Sequence, residues 1–316
     1  MTTTEDRMMQ IFLPDTYKKT RELSSVKTRF VYYTTAETAA CILRDRQIWM
    51  RNTAIMNDYM EVEYGFECVN AAYKGDPGKR FNAELDACFP GLSVEARDHF
   101  NDLLPTIRTD TYITAVSEHM PSEDEHGRLS MWRAYGGKTG VALVLNGDVF
   151  FSESNVLNVF SIPVTYLRDF TSNFENVAEN MKREAEFIKS SDRGLLKHMV
   201  FIMLWFSVLC TKHPGFHEEK EWRVIASPKL YPSTYTTPAV EVIRGMPQTV
   251  LKLGLQNHPE QGLVGLELPQ LLERIIIGPC ESPQVLYTAF HRLLVEANVP
   301  DSERKIIMSD IPLRHS

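Results

Sequence analysis

Apolar and polar positions alternate with a period of two in several short stretches, and with a helical period in the longer ones between them. Arg29 to Thr34 is rich in β-branched and aromatic residues and reads as a strand. Thr35 to Arg46 reads as the helix that follows, with Ala39, Ala40, Ile42 and Leu43 on its apolar face and Thr35 as its cap. Gln47 to Arg51 is a second short strand, and Tyr59 to Tyr73 a helix capped by Asn57 or Asp58. Gly and Pro make Lys74 to Arg80 a loop, and Pro90-Gly91 breaks a helical region running from Phe81 to Ile107. Strands are predicted at Thr111–Ser117, Gly140–Leu145, within 156–167, and at Glu221–Ala226. Between the first two lie a polar loop, Pro121 to Arg128, and a short helix carrying Met131-Trp132. Helices are expected over 174–189 and 193–210. The last third offers apolar runs at 240–243, 250–255 and 274–277, a helix over 283–297 and a closing strand at 305–308.

Strands and helices therefore mix without a strict βαβ rhythm. The expected fold class is α+β: a single domain over residues 1–316 with a central mixed or antiparallel sheet. Residues 1–28 form an N-terminal extension, and residues 74–110 and 172–210 are expected as helical insertions.

Composition narrows the setting. Charged residues make up 24% and hydrophobic residues 43%, so no long stretch is expected to be disordered. The five cysteines are scattered and odd in number, which argues for a reducing compartment and against a disulfide framework. The first residues carry no apolar run of signal-peptide form. The most apolar stretch, 195–210, is shorter than the roughly 20 residues a bilayer span needs. A cytoplasmic protein without a membrane is the expectation. A net charge of −7 argues against a general electrostatic hold on nucleic acid, though it leaves room for a local basic groove.

Candidate chemistry concentrates at 213–223. If Glu219 to Val224 is extended, Glu219, Glu221 and Arg223 share one face while Trp222 and Val224 pack inward. Two carboxylates beside an arginine are costly unless solvated, paired or used. His213, His217 and Glu221 have helix-face spacing that invites a metal, but Pro214-Gly215 damages that helix and the second His of H-E-x-x-H is missing. Tyr32-Tyr33-Thr34-Thr35, at the end of the first strand, could stack a planar ligand and bond its edge, or simply favour a strand. Asn57-Asp58 with Glu61 has capping-box form. Gly136-Gly137-Lys138-Thr139 invites a phosphate-loop reading, but the required earlier glycine is Trp132, so a Walker A site is rejected. Trp132 is expected in the core or in a pocket wall.

Taken in order, these segments resemble a bacterial family known as domain of unknown function 2971. The matching features are Tyr32-Tyr-Thr-Thr35, Trp49 followed by Asn57-Asp58-x-x-Glu61, Ser117-Glu118, Met131-Trp132-x-x-Tyr135 and Gly140. They continue with Lys212-His-Pro-Gly-Phe216, Glu219-x-Glu221-Trp222-Arg223, Ile276-Ile277-Gly278-Pro279 and Ser309-x-Ile311-Pro312-x-Arg314. Ala115-Val116-Ser117 stands where members often show Cys-Phe-Ser. The layout is similar to that of ADP-ribosyltransferases, which implies a split sheet and NAD as substrate, with no metal. On that resemblance Tyr32 or Tyr33 packs on nicotinamide, with Thr34, Asn57, Asp58, Trp132, Tyr135 and Arg223 around the ligand. Ser117 supports the glutamate or the ribose, Glu221 stabilises the oxocarbenium-like transition state, and Glu219 orients the acceptor. Abortive-infection and phage-defence proteins are the implied setting, with an antitoxin or defence partner and a nucleic-acid or protein acceptor. The competing readings are a nucleotide-binding sensor or interaction module without turnover, and a metal-dependent hydrolase or nuclease.

Overall fold

Most of the alternating stretches become strands within a residue or two of their predicted bounds in the computed structural model, which describes residues 3–55, 59–243 and 245–312; the runs at 240–243 and 250–255 belong to strands that begin four residues earlier. In chain order they are β1 (Arg29–Thr35), β2 (Gln47–Asn52), β3 (Tyr112–His119), β4 (Gly140–Leu145), β5 (Phe160–Pro163), β6 (Thr165–Tyr166), β7 (Thr211–Lys212), β8 (Glu221–Ala226), β9 (Thr236–Ile243), β10 (Met246–Gly254), β11 (Leu272–Ile277) and β12 (Ile306–Met308). A ten-stranded sheet runs β12-β11-β4-β1-β3-β2-β10-β9, and β8 branches from it, pairing with both β3 and β5. β11 and β12 are parallel. β1 is antiparallel to both β3 and β4, and β8 is antiparallel to β3, so the sheet is mixed. The fold is α+β, with many helices.

Contacts divide the chain into two compact units, each assembled from three segments. One comprises 1–22, 52–111 and 162–217; the other comprises 23–51, 112–161 and 218–316. The segments expected as helical insertions, 74–110 and 172–210, both fall in the first unit.

The first unit is helical apart from a small parallel pair, β6 with β7. Its central helix, Arg193–Leu209, starts where the Asp192 side chain accepts a hydrogen bond from the Leu195 amide at 2.9 Å. From Met199 to Leu209 every residue is buried, the pattern of a helix packed on all sides. Among the described residues no helix is long and apolar enough to cross a membrane. The loop expected over 74–80 is instead largely helix: Asp76–Cys88 begins there, with Gly75 as cap and Pro77 in the first turn. Proline is well placed in a first turn because its missing N–H would have had no partner there. The same Gly-x-Pro signal thus marks a start as readily as a break.

The second unit holds the large sheet. Thr35 ends β1 and caps the next helix, Ala36–Asp45, its hydroxyl accepting from the Thr38 amide at 3.3 Å. The helix stops where Arg46 takes the left-handed conformation. Apolar side chains cover both faces of the sheet. One face carries Phe30, Val141, Leu143, Val116, Trp222 and Ile275 within the larger core. The other carries Val31, Tyr33, Ala142, Val144 and Ile276 under Met131 and Trp132.

Candidate functional site

The register of three neighbouring strands assembles the site. Val31 on β1 lies opposite Ser117 on β3, and Ser117 lies opposite Glu221 on β8. Opposed residues share a face, and residues two apart on a strand share it too. Tyr33, Ser117, Glu221 and Arg223 therefore project from the face that carries Trp132, while Tyr32 and Thr34 project from the other. This decides between the two tyrosines: Tyr33 shares the face of Ser117 and Glu221. Tyr32 packs against the larger core and hydrogen-bonds with the Thr34 and Thr114 side chains; burial pushes its hydroxyl pKa up.

Glu221 and Arg223 form a buried ion pair, Arg223 Nε donating to Glu221 Oε1 at 2.7 Å, with the side chains only 8% and 4% exposed. Such a pair is fixed in geometry, and removing either partner takes a charge-assisted hydrogen bond from a buried charge. Ser117 is buried opposite it. The expectation that Glu219 joins this face through continuous extended backbone is corrected. Pro214–Glu219 is a 3-10 turn, and Lys220 takes a left-handed φ of 45°, so the alternation starts only at Glu221. Glu219 is reached differently, its Oε1 accepting from the Tyr135 hydroxyl at 3.3 Å.

Trp132 sits in a cage of glycines. A Cβ at Gly127 would lie 2.6 Å from its Cζ2, one at Gly278 2.8 Å from its Cε3, and one at Gly140 3.1 Å from the same atom. Its Nε1 donates to the His126 carbonyl at 2.8 Å, an acceptor shared with the Ser309 hydroxyl. Tyr33 packs edge-on against the indole, with ring centroids 4.9 Å apart. The Tyr33 hydroxyl accepts from the Arg128 amide at 2.8 Å. Burial pushes its pKa up, and both its ring and its hydroxyl are already engaged, by Trp132 and by the Arg128 amide. Trp132 also opens a π-helical turn, Trp132–Gly136, a geometry enriched at functional sites. That turn presents Tyr135 outward at 40% exposure.

The loop 121–128 looked merely polar in sequence, yet it holds the densest ionic network of the unit. Arg128 donates to Glu123 through Nε at 2.8 Å and Nη2 at 3.1 Å. It also reaches the carbonyls of Glu118 at 2.9 Å, Glu218 at 2.7 Å and Glu219 at 3.2 Å. One guanidinium thus ties the end of β3 to the approach to β8. Beside it, His119 Nε2 meets Asp124 Oδ1 at 2.8 Å, and Arg29 pairs with the same carboxylate at 3.0 Å. His119 Nδ1 is buried without a hydrogen bond, 3.7 Å from Glu123. Burial pulls the imidazole pKa down more than Asp124 raises it. Burial alone would push both acids up. The Arg128 guanidinium and Met120 amide outweigh it at Glu123, as His119 and Arg29 do at Asp124, so both carboxyls are held below their ordinary range. No motif announced this network, because its members pair across strand ends. The one local signal was Glu123 five residues before Arg128.

Asn57 and Asp58 lie outside the described residues. Among the described residues no group of three or more His, Cys, Asp or Glu side chains could hold a metal ion. His213 and His217 are occupied locally. His213 Nδ1 accepts from the Gly215 amide at 3.1 Å, and His217 Nδ1 donates to the Pro214 carbonyl at 2.9 Å.

The stretch from Met131 to Val224 carries Trp132, the π turn and the Glu221–Arg223 strand. Residues 131–224 match the family described as protein of unknown function, DUF2971. No curated protein and no solved structure shows a significant match to the chain. The DUF2971 match spans the π turn and the ion pair. Their partners Tyr33, Ser117, Gly278 and Ser309 lie outside it and join through the sheet and the glycine cage.

Proposed function

We propose that this protein cleaves the nicotinamide–ribose bond of NAD and transfers ADP-ribose to an acceptor or to water. The observation that carries the reading is the alignment of Val31, Ser117 and Glu221 across β1, β3 and β8, with Arg223 fixing the carboxylate. As the C–N bond breaks, its electron pair neutralises the pyridinium and leaves with nicotinamide. Positive charge develops on the ribose, where the Glu221 carboxylate stabilises it and accepts from the 2′-hydroxyl. The acceptor, oriented by Glu219, then bonds the anomeric carbon and passes its proton to the Glu219 carboxylate. Since Tyr33 is engaged with Trp132 and Arg128, stacking on the nicotinamide falls to Tyr135.

A second reading has its own support. The buried Glu221–Arg223 pair, with its carboxylate already engaged, suits a module that binds a nucleotide without turnover. Nicotinamide release from NAD by the purified protein separates the two, run beside Glu221→Gln and Ser117→Ala. Release that vanishes in Glu221→Gln and falls in Ser117→Ala supports the transferase. Thermal stabilisation by NAD with no release supports the binding module, and neither effect overturns both.

A further inference from the structure

The large sheet ends differently on its two sides. On one side β12 is only three residues long. On the other, β9 runs for eight residues and among the described residues pairs only with β10. β2 meets β10 only over 250–254. Residues 240–243 and 246–249 therefore stand out past β2 as a two-stranded ribbon. One face of that ribbon is apolar and open. Val240 and Val242 are 70% and 66% exposed, and they lie opposite Thr249 and Pro247, which are exposed as well. Glu241, the single charged residue of β9, projects from the other face, where Lys252 on β10 neutralises it. Sheet edges are ordinarily protected from pairing with another chain by lysines, bulges or shortness. β9 has no lysine, and its register with β10 runs from Thr236 opposite Leu253 to Ile243 opposite Met246 without a shift, so no bulge turns it away. Pro238 removes one backbone donor near its start.

We propose that β9 pairs antiparallel with β9 of a second copy of this chain, joining the two sheets about a two-fold axis at Val240. Charge selects both the occupant and the register. The chain carries −7, so copies repel one another in general, but this edge is neutral within itself. An axis at Val240 sets Val240 of one copy against Val240 of the other, Val242 against Pro238 and Glu241 against Ala239, so no acid meets an acid. An axis at Glu241 would oppose two carboxylates. Symmetry also closes the assembly. Pairing like edges consumes both and stops at two, whereas pairing β9 with the short β12 of the next copy would continue into a filament. Eight residues make an edge about 27 Å long, a narrow contact held by main-chain hydrogen bonds and the two valines, so the dimer is reversible. The pairing is independent of the NAD reading.

The test is sedimentation velocity on the full chain, from low micromolar to the highest soluble concentration. The sedimentation coefficient should rise with concentration to that of a dimer and no further. Val240→Lys with Val242→Lys should raise the dissociation constant about 10-fold or more, because apolar contact is lost and like charges face each other across the axis. Both side chains are exposed, so the variant keeps its fold, which far-UV circular dichroism checks. Under oxidation Val240→Cys should cross-link two copies above the level of the unaltered chain, while Glu241→Cys should not, since its counterpart lies beyond disulfide reach. A monomer at every concentration overturns the proposal. So does association that the two lysines leave unchanged, growth beyond a dimer, or cross-linking of Glu241→Cys as readily as Val240→Cys.

Discussion

Replacing Gly278 with alanine tests the Trp132 cage, and its cost can be worked from the structure. Gly278 does not have the positive φ that would strain any side chain, so the effect is steric. Its new Cβ would meet Trp132 Cε3 at 2.8 Å, Cζ3 at 2.9 Å and the Gly140 carbonyl at 3.1 Å. Carbon atoms prefer about 3.5–4.0 Å, so roughly 0.7 Å must be found. Trp132 cannot easily yield, because Tyr33 stands edge-on to it, Gly127 and Gly140 hem it in, and its Nε1 is bonded to His126. Overpacking of this kind costs about 1–3 kcal/mol. Trp132→Leu is itself costly, about 3–5 kcal/mol, chiefly from the lost ring volume. It also removes the atoms that clash, so Gly278→Ala should then cost almost nothing. The double-mutant cycle should return a coupling of about 1–3 kcal/mol, read from urea unfolding followed by far-UV circular dichroism on the transition that carries the strand signal. Costs that add within about 0.5 kcal/mol would mean that the two sites are independent, and the cage argument would fail.

Arg128→Met should destabilise the second unit by about 1.5–3 kcal/mol, since it takes the guanidinium from half-buried Glu123 and a hydrogen bond from each of the carbonyls of Glu118, Glu218 and Glu219; denaturant titration measures it, and a change under 1 kcal/mol refutes the role. Acidification should destabilise the protein in two stages. His119 has a folded pKa below its ordinary value of 6.5, so the unfolded chain takes up a proton first and stability falls as pH drops below about 6.5. Glu123 and Asp124 also have lowered folded values, so their stabilisation is complete above the unfolded carboxyl range and is lost as pH falls below it. His119→Gln should shrink the first stage to the share of His198, whose pKa burial also lowers, and keep the second; melting temperatures measured from pH 8 to 4 decide this. Arg223→Met should cost about 1.5–3 kcal/mol by taking a charge-assisted hydrogen bond from buried Glu221; the same unfolding assay reads it, and a change under 0.5 kcal/mol refutes the pairing.

The local pattern alone determined much of this molecule. β-branched and aromatic alternation marked β1, β8 and the late strands, and Thr35 marked a helix start, because these preferences act over a few residues. Glu221 and Arg223 were legible as neighbours on one strand face for the same reason: side chains two apart on a strand must share a face. Gly75-Asp76-Pro77 misled because the same residues suit a loop and a first helical turn, and burial of Phe81 and Leu85 decides between them. Lys220 ended the expected run of alternation because its left-handed conformation is set by the Glu118 amide bonding its carbonyl from another strand. That Tyr33 rather than Tyr32 shares the face of Ser117 and Glu221 depended on inter-strand register, which a shift of one residue would invert. The same holds for the glycines around Trp132 and the carbonyls gathered by Arg128. Their partners lie far apart in sequence, so only closure of the sheet brings them together and gives each residue its neighbours.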